Sequence, residues 1–199
     1  ADDFTLEVDG IDINNVEVTP VKTYNAEKDE EFNGGSKIEI NELTETSINN
    51  LYILGKMWGF LKYYHPKIAE GEYNWDYELF RITPKILNVN SGDERNRVLL
   101  EWVNSLGPVT EFNDKKTSDI EKIKLLPELD WIKDGSIFSA ELITKLEEVK
   151  NAKRKDTSYY IGLHEFVGNP NFKNENAYNH TTLDDGYRLL ALFRYWNMI

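Results

Sequence analysis

Histidine, the side chain that most readily moves a proton near neutral pH, occurs three times, at His65, His164 and His180. His164-Glu165 opens like the zinc-binding H-E-x-x-H pattern, but position 168 is Gly and the second ligand is missing. With no cysteine in the chain, disulfides, thiolate metal sites and a cysteine nucleophile are excluded. A serine nucleophile would need its own setting, and neither G-x-S-x-G nor S-x-x-K occurs. Phosphate-cradling glycine loops are also absent. The acidic pairs Asp2-Asp3, Glu30-Glu31, Glu147-Glu148 and Asp184-Asp185 are sequence neighbours, so each reads as solvated surface rather than as two carboxylates facing across a bond. Asp9, Asp12 and Asn14 could hold calcium, but the twelve-residue loop with its closing Glu is not met. Lys150, Lys153, Arg154 and Lys155 form the one basic cluster, as a helix end does. His65, between Tyr64 and Pro66, suits the negative end of a helix as a charged imidazole. Catalytic, cofactor-binding and metal residues are therefore expected to be none.

Aromatic residues are the feature left over. Nine fall between Tyr52 and Phe80: Tyr52, Trp58, Phe60, Tyr63, Tyr64, Tyr73, Trp75, Tyr77 and Phe80. Such residues bury large areas, while Tyr and Trp also need a polar partner, so a cluster serves a core, an interdomain surface or a peptide or sugar groove. Tyr63, Tyr64, Trp75 and Tyr77 are the candidates for a peptide-binding or interdomain surface.

The elements that must position them read as mainly α (α+β): a multi-helix bundle preceded by a short N-terminal β-hairpin, with one further short strand near 159–167. Asp3 to Val8 alternates with period two, and Asp9-Gly10 is a hairpin turn leading to Ile11 and Ile13. Val16, Val18 and Val21 extend the β-type composition. Residues 25–37 are polar and glycine-containing, a linker or surface loop, which places a boundary between a β segment (1–40) and a helical domain (41–199). Thr44 caps a helix flanked by a Leu43–Ile48 staple, apolar on two faces and hence interior, stopped at Pro66. Asn74 caps a second, with Asp76 and Glu78 in its first turn and Pro84 expected to kink or end it. Ser91 with Glu94 opens a third, closed by Gly107-Pro108. Ser118 with Glu121, and Ser139, open two more; 168–181 is a polar loop, and Thr182 opens the last helix. Leu54, Met57, Trp58 and Phe60 align with Leu189, Leu192, Phe193 and Tyr195, which reads as two core helices with the same packing needs rather than as a faint duplication. That last helix is apolar up to Ile199 without a closing cap, so the native chain is expected to continue.

Of 199 residues, 40% are hydrophobic, enough for a core, and the formal charge of −12 makes nucleic acid a poor partner. No apolar run approaches the roughly 20 residues of a membrane span.

Leu51 to Pro66 (LYILGKMWGFLKYYHP), Tyr73-Asn74-Trp75-Asp76 and Tyr187 to Asn197 (YRLLALFRYWN) together resemble the region upstream of the peptidase domain in bacterial C-terminal-processing (tail-specific) serine peptidases. Asp2 to Val8 looks like the closing strand of a preceding β-sandwich module. The resemblance covers residues 43–107 and 183–199 and rests on packing motifs. It implies an exported parent enzyme, in the cell envelope, periplasmic or secreted, that cleaves polypeptides with a Ser nucleophile and a Lys base and needs no cofactor. No stretch here matches the surroundings of that dyad, so this segment is expected to be inert as a peptidase. Its implied role is a scaffold, substrate gate or assembly surface for a catalytic domain beyond residue 199, its partners being that domain and the polypeptide substrate. The alternatives are a self-sufficient peptide- or glycan-binding module using Tyr63, Tyr64, Trp75 and Tyr77, and a hydrolase built on His65 or His164.

Overall fold

A computed structural model describes residues 7–8, 11–12, 22–110, 127–155, 158–164, 169–175, 178 and 183–198. Among them are two strands, β1 (Glu7–Val8) and β2 (Ile11–Asp12), and six helices: α1 (Glu45–Tyr64), α2 (Pro66–Ala69), α3 (Trp75–Leu87), α4 (Gly92–Ser105), α5 (Ala140–Lys150) and α6 (Asp185–Met198). Strands β3 (Ile161–Leu163) and β4 (Pro170–Phe172) stand between α5 and α6. The expected mainly helical fold with short strands is the fold observed. β1 and β2 pair antiparallel with Glu7 opposite Asp12 and Val8 opposite Ile11; the expected Asp9-Gly10 turn lies outside the described residues.

Helix starts follow local chemistry. Thr44, Asn74, Ser91 and Ser139 each occupy the N-cap and accept from an amide three residues on, replacing a partner the helix cannot supply. At Ser91 the expected Glu94 reaches back one residue further than anticipated, to the Asn90 amide at 2.9 Å. His65 ends α1 in extended geometry before Pro66, and Gly107 closes α4 at φ +85°, a conformation that favours glycine. The boxed helix at Ser118, Val16, Val18 and Val21, and Thr182 all lie outside the described residues; α6 is capped by Asp184, whose Oδ1 accepts from the Tyr187 amide at 3.1 Å.

α1 is the central helix, packed against α3, α5 and α6. Leu54, Met57, Trp58 and Leu61 are fully buried, joined by Trp75, Leu79 and Ile86 of α3, Leu99 of α4 and Leu142 and Leu146 of α5. Trp58 and Trp75 are locked reciprocally: each indole N–H donates to the other residue's backbone carbonyl at 2.9 Å. Trp75 also stacks on Trp102, ring centroids 5.1 Å apart and planes 6° from parallel. α6 approaches α1 over two glycines. A Cβ on Gly55 would meet the Phe193 ring at 2.9 Å, and one on Gly59 would overlap the Asn197 carboxamide.

Several expectations are corrected. Pro84 does not end α3, which runs on to Leu87: Ile86 is buried, and Asn88 Nδ2 donates to the Pro84 carbonyl at 2.8 Å. Pro170 to Phe172, placed in a polar loop, pairs with β3 as β4, Ile161 opposite Phe172; its Pro and Asn hide the strand signal, and its first residue needs no ladder amide. α1 is not interior on both faces, since Ile48 and Tyr52 are about half exposed at 52% and 48%. The alignment of α1 with α6 holds at two of its four pairs: Leu54 with Leu189 and Trp58 with Phe193 are buried alike, whereas Met57 and Phe60 are buried while Leu192 and Tyr195 are exposed.

Residues 25–37 are not a loose tether but part of a strap across α3 and α6. Phe32 is buried edge-on against Tyr77 and Phe80, its carbonyl accepting from the Tyr187 hydroxyl at 2.9 Å. Arg81 holds Asp29 and Glu31. The Ser36 amide and hydroxyl donate to Asp184, and the Ile40 amide to Asp185 at 2.8 Å. Burial favours the neutral form of Asp184, but the donors from Ser36, Tyr187 and Gly186 hold its carboxyl below the usual range. This pair is therefore a fastening, not bare solvated surface. Glu147 and Glu148 do lie on the surface, paired with Lys133 and Lys145.

Candidate functional site

Of the four aromatic candidates, two belong to the core. Trp75 is fully buried and Tyr77 nearly so, its hydroxyl donating to Asn33 Oδ1 at 2.6 Å. Tyr63 and Tyr64 are half-buried at the far end of α1, beside a separate concavity of about 370 Å³ that Trp131 and Trp196 also line. Burial pushes the Tyr63 phenol up to about 12. Tyr64 stacks on Phe60 at 4.9 Å, under the Arg154 guanidinium. The four do not converge on one groove, and a peptide or glycan module built from them has no shared surface here.

The histidines carry no catalytic arrangement. His65 is fully buried, and neither ring nitrogen has a hydrogen-bond partner among the described residues. Burial, with the Lys67 charge nearby, lowers it to about 4, so it is neutral at the helix end and not the charged imidazole expected from the dipole. Desolvation outweighs a dipole term of about 1 kcal/mol. His164 is exposed at the end of β3; His180 lies outside the described residues. Among the described residues no group of three or more His, Asp or Glu converges to hold a metal ion.

A charge network joins four segments behind Trp58. Lys62 of α1 is fully buried and pairs with Glu175, which follows β4; Arg194 of α6 pairs with the buried Asp76 of α3. Tyr178 donates to Asp76 Oδ2 at 2.9 Å. The Lys62 ammonium lies over the Trp58 and Tyr160 rings, 4.9 and 5.2 Å from their centroids. Burial pulls the Lys62 ammonium down even though Glu175 supports it. Burial also opposes the Arg194 charge, but Asp76 and Glu175 hold its guanidinium above the ordinary value. Two cations meet two anions, so the set is balanced and cross-links the helices.

Two surface features went unread in the sequence. The first is a groove of about 510 Å³ between the 40–52 segment and α6, walled by Ile40, Leu43, Ile48, Leu51, Tyr52, Leu189, Leu192, Phe193 and Trp196. At its end Asp185 and Arg188 pair at 2.9 Å. Leu43, Ile48, Tyr52, Leu192 and Trp196 remain between 38% and 57% exposed, a contiguous apolar patch of the kind that marks an interaction surface. The signal was present in the second apolar faces of α1 and α6, which alone do not say whether they meet the core or a partner.

The second is a polar cavity of about 300 Å³ where the strap meets the start of α3. It is lined by Ala26, Glu27, Asp29, Glu30, Asn33, Asn74, Asp76, Tyr77, Tyr159, Tyr160 and Asn174.

Comparison of the chain with protein-family models, curated proteins and solved structures finds no match.

Proposed function

We propose that this chain is the non-catalytic helical domain of an exported serine peptidase, in the cell envelope, periplasmic or secreted. It serves as the assembly surface on which a Ser/Lys catalytic domain beyond residue 199 is seated. The observation that carries the reading is the apolar groove between the 40–52 segment and α6, whose walls include the family-like α1 and α6 stretches. An exposed apolar face of this breadth is costly in water and is the chemistry of an interdomain contact. The charge network and the Trp58–Trp75 lock support a rigid platform rather than a reaction centre, because each cation is matched by an anion, with Lys62 and Asp76 buried and Glu175 and Arg194 largely so. Scaffold and assembly surface are thus better supported than a moving gate, and the polypeptide substrate is met by the catalytic domain.

The reading frame past Ile199 tests the proposal directly. A Ser/Lys peptidase domain there, whose presence slows amide exchange along Ile48–Tyr52 and Leu189–Trp196, is the expected result. A frame continuing into a different domain, or a catalytic domain that leaves those amides unchanged, overturns it.

A further inference from the structure

The polar cavity at the start of α3 has no place in the proposed function, and its chemistry is one-sided. No Lys or Arg is among its lining residues, whereas four carboxylates are. Asp29 shares Arg81 with Glu31 and Glu78, and Asp76 is paired with Arg194 on Oδ2. Glu27 and Glu30 have no cationic partner among the described residues. Asp76 is 2% exposed, and its other oxygen, Oδ1, has no hydrogen-bond partner among the described residues. A buried carboxylate oxygen left bare costs free energy that a donor from a ligand would recover. The amides of α3 do not invite an anion, since that of Trp75 donates to the Tyr160 hydroxyl at 2.8 Å and that of Tyr77 to Asn74 Oδ1. The carboxylates do not converge as metal ligands do, and a space of about 300 Å³ is far larger than an ion. Tyr159 and Tyr160, rings 4.8 Å apart and edge to face, add aromatic surface to the wall.

We propose that this cavity binds an organic cation, an ammonium on an aliphatic chain, with its head toward Asp76 and the Glu27–Glu30 rim and its stem against Tyr159 and Tyr160. Carboxylates supply charge-assisted acceptors and the rings supply an apolar and cation–π wall. A free diamine and the side chain of a polypeptide lysine share this chemistry. The proposal does not rest on the peptidase reading.

Calorimetric titration with cadaverine, Nα-acetyl-lysine methylamide, 1-pentanol and calcium chloride tests it. Saturable binding of cadaverine without binding of 1-pentanol is expected; the lysine amide binding as well assigns the site to a polypeptide side chain, and cadaverine alone assigns it to a free amine. Asp76→Asn should abolish binding, but it also strips Arg194 of its partner and can unfold the chain. The deciding variant is therefore Glu27→Gln/Glu30→Gln, which keeps side-chain acceptors on the rim and should weaken the amine roughly tenfold through loss of two charge-assisted contacts. No saturable amine binding at millimolar concentration, equal affinity in the folded double variant, or calcium binding tighter than any amine would each overturn the proposal.

Discussion

His65 sits at the junction of α1 and α2 with both ring nitrogens lacking a partner among the described residues, and that isolation sets an acid limit on stability. Its folded value of about 4 lies below the ordinary 6.5. As pH falls through 6.5 the unfolded chain takes up the proton first, so the contribution is intact above 6.5 and drains away down to 4. The full loss is roughly 3 kcal/mol. His65→Leu, similar in bulk and uncharged, should flatten the urea midpoint between those pH values, and a variant whose midpoint falls in parallel with the parent's would exclude His65 as the cause. The Lys62–Glu175 pair predicts an asymmetry. Glu175→Ala leaves a fully buried ammonium uncompensated and should cost about 3 kcal/mol or more. Lys62→Met removes the buried charge and leaves Glu175, 15% exposed, within 3.9 Å of Arg194; it should cost clearly less by denaturant melts, and equal costs would refute the account. At this scale the sequence is legible where chemistry is local. Thr44, Asn74, Ser91 and Ser139 could be named as caps because a cap needs only its own next turn. Trp75 and Tyr77 could not be placed, because a side chain's exposure is settled by what packs over it from elsewhere in the chain, as Trp58 and Trp102 do over Trp75 and Phe32 and Tyr178 over Tyr77.

Helix α6 reaches α1 only because Gly55 and Gly59 leave room. Gly55→Ala gains about 1 kcal/mol of helix propensity but drives a methyl into the Phe193 ring, an overpacking of about 1–3 kcal/mol. The net change should be destabilising, lowering Tm by a few degrees for about 1 kcal/mol; a raised Tm would show that α6 can shift without loss. The strap depends on one apolar anchor. Phe32→Ala should cost about 3–5 kcal/mol and, in amide exchange, should deprotect residues 32–40 more than α4; uniform deprotection would contradict a fastened strap. Polar composition made this segment read as linker, since Phe32 and Ile38 are single anchors without a period to reveal them. β4 was hidden similarly, three residues being too few for alternation to register. Helices α1, α3, α4 and α6, by contrast, carry 13 to 20 residues each and repeat their pattern over several turns.

Among the described residues, burial is complete on the core side of α1 and α6 and only partial on the groove side. Leu192→Asp in the groove should leave the urea midpoint nearly unchanged, within about 0.5 kcal/mol as for ordinary surface sites, while abolishing association with the catalytic domain proposed above, supplied in trans and measured by sedimentation. A folded Leu192→Asp chain that still associates would move the contact elsewhere. The fold class was legible because it is a sum over many local patterns. The groove was not, because a helix apolar all round does not say which of its faces meets its own chain. The same division sorts the five tryptophans. Trp58, Trp75 and Trp102 are sealed inside, the latter two as a nearly parallel stack, whereas Trp196, 38% exposed, stands in the groove wall and the half-buried Trp131 lies nearby. The molecule thus carries two separate optical signals. Near-ultraviolet circular dichroism follows the rigid inner stack, and the emission that acrylamide can quench comes from the outer pair, so docking at the groove and loosening of the core can be told apart in a single sample without any added label.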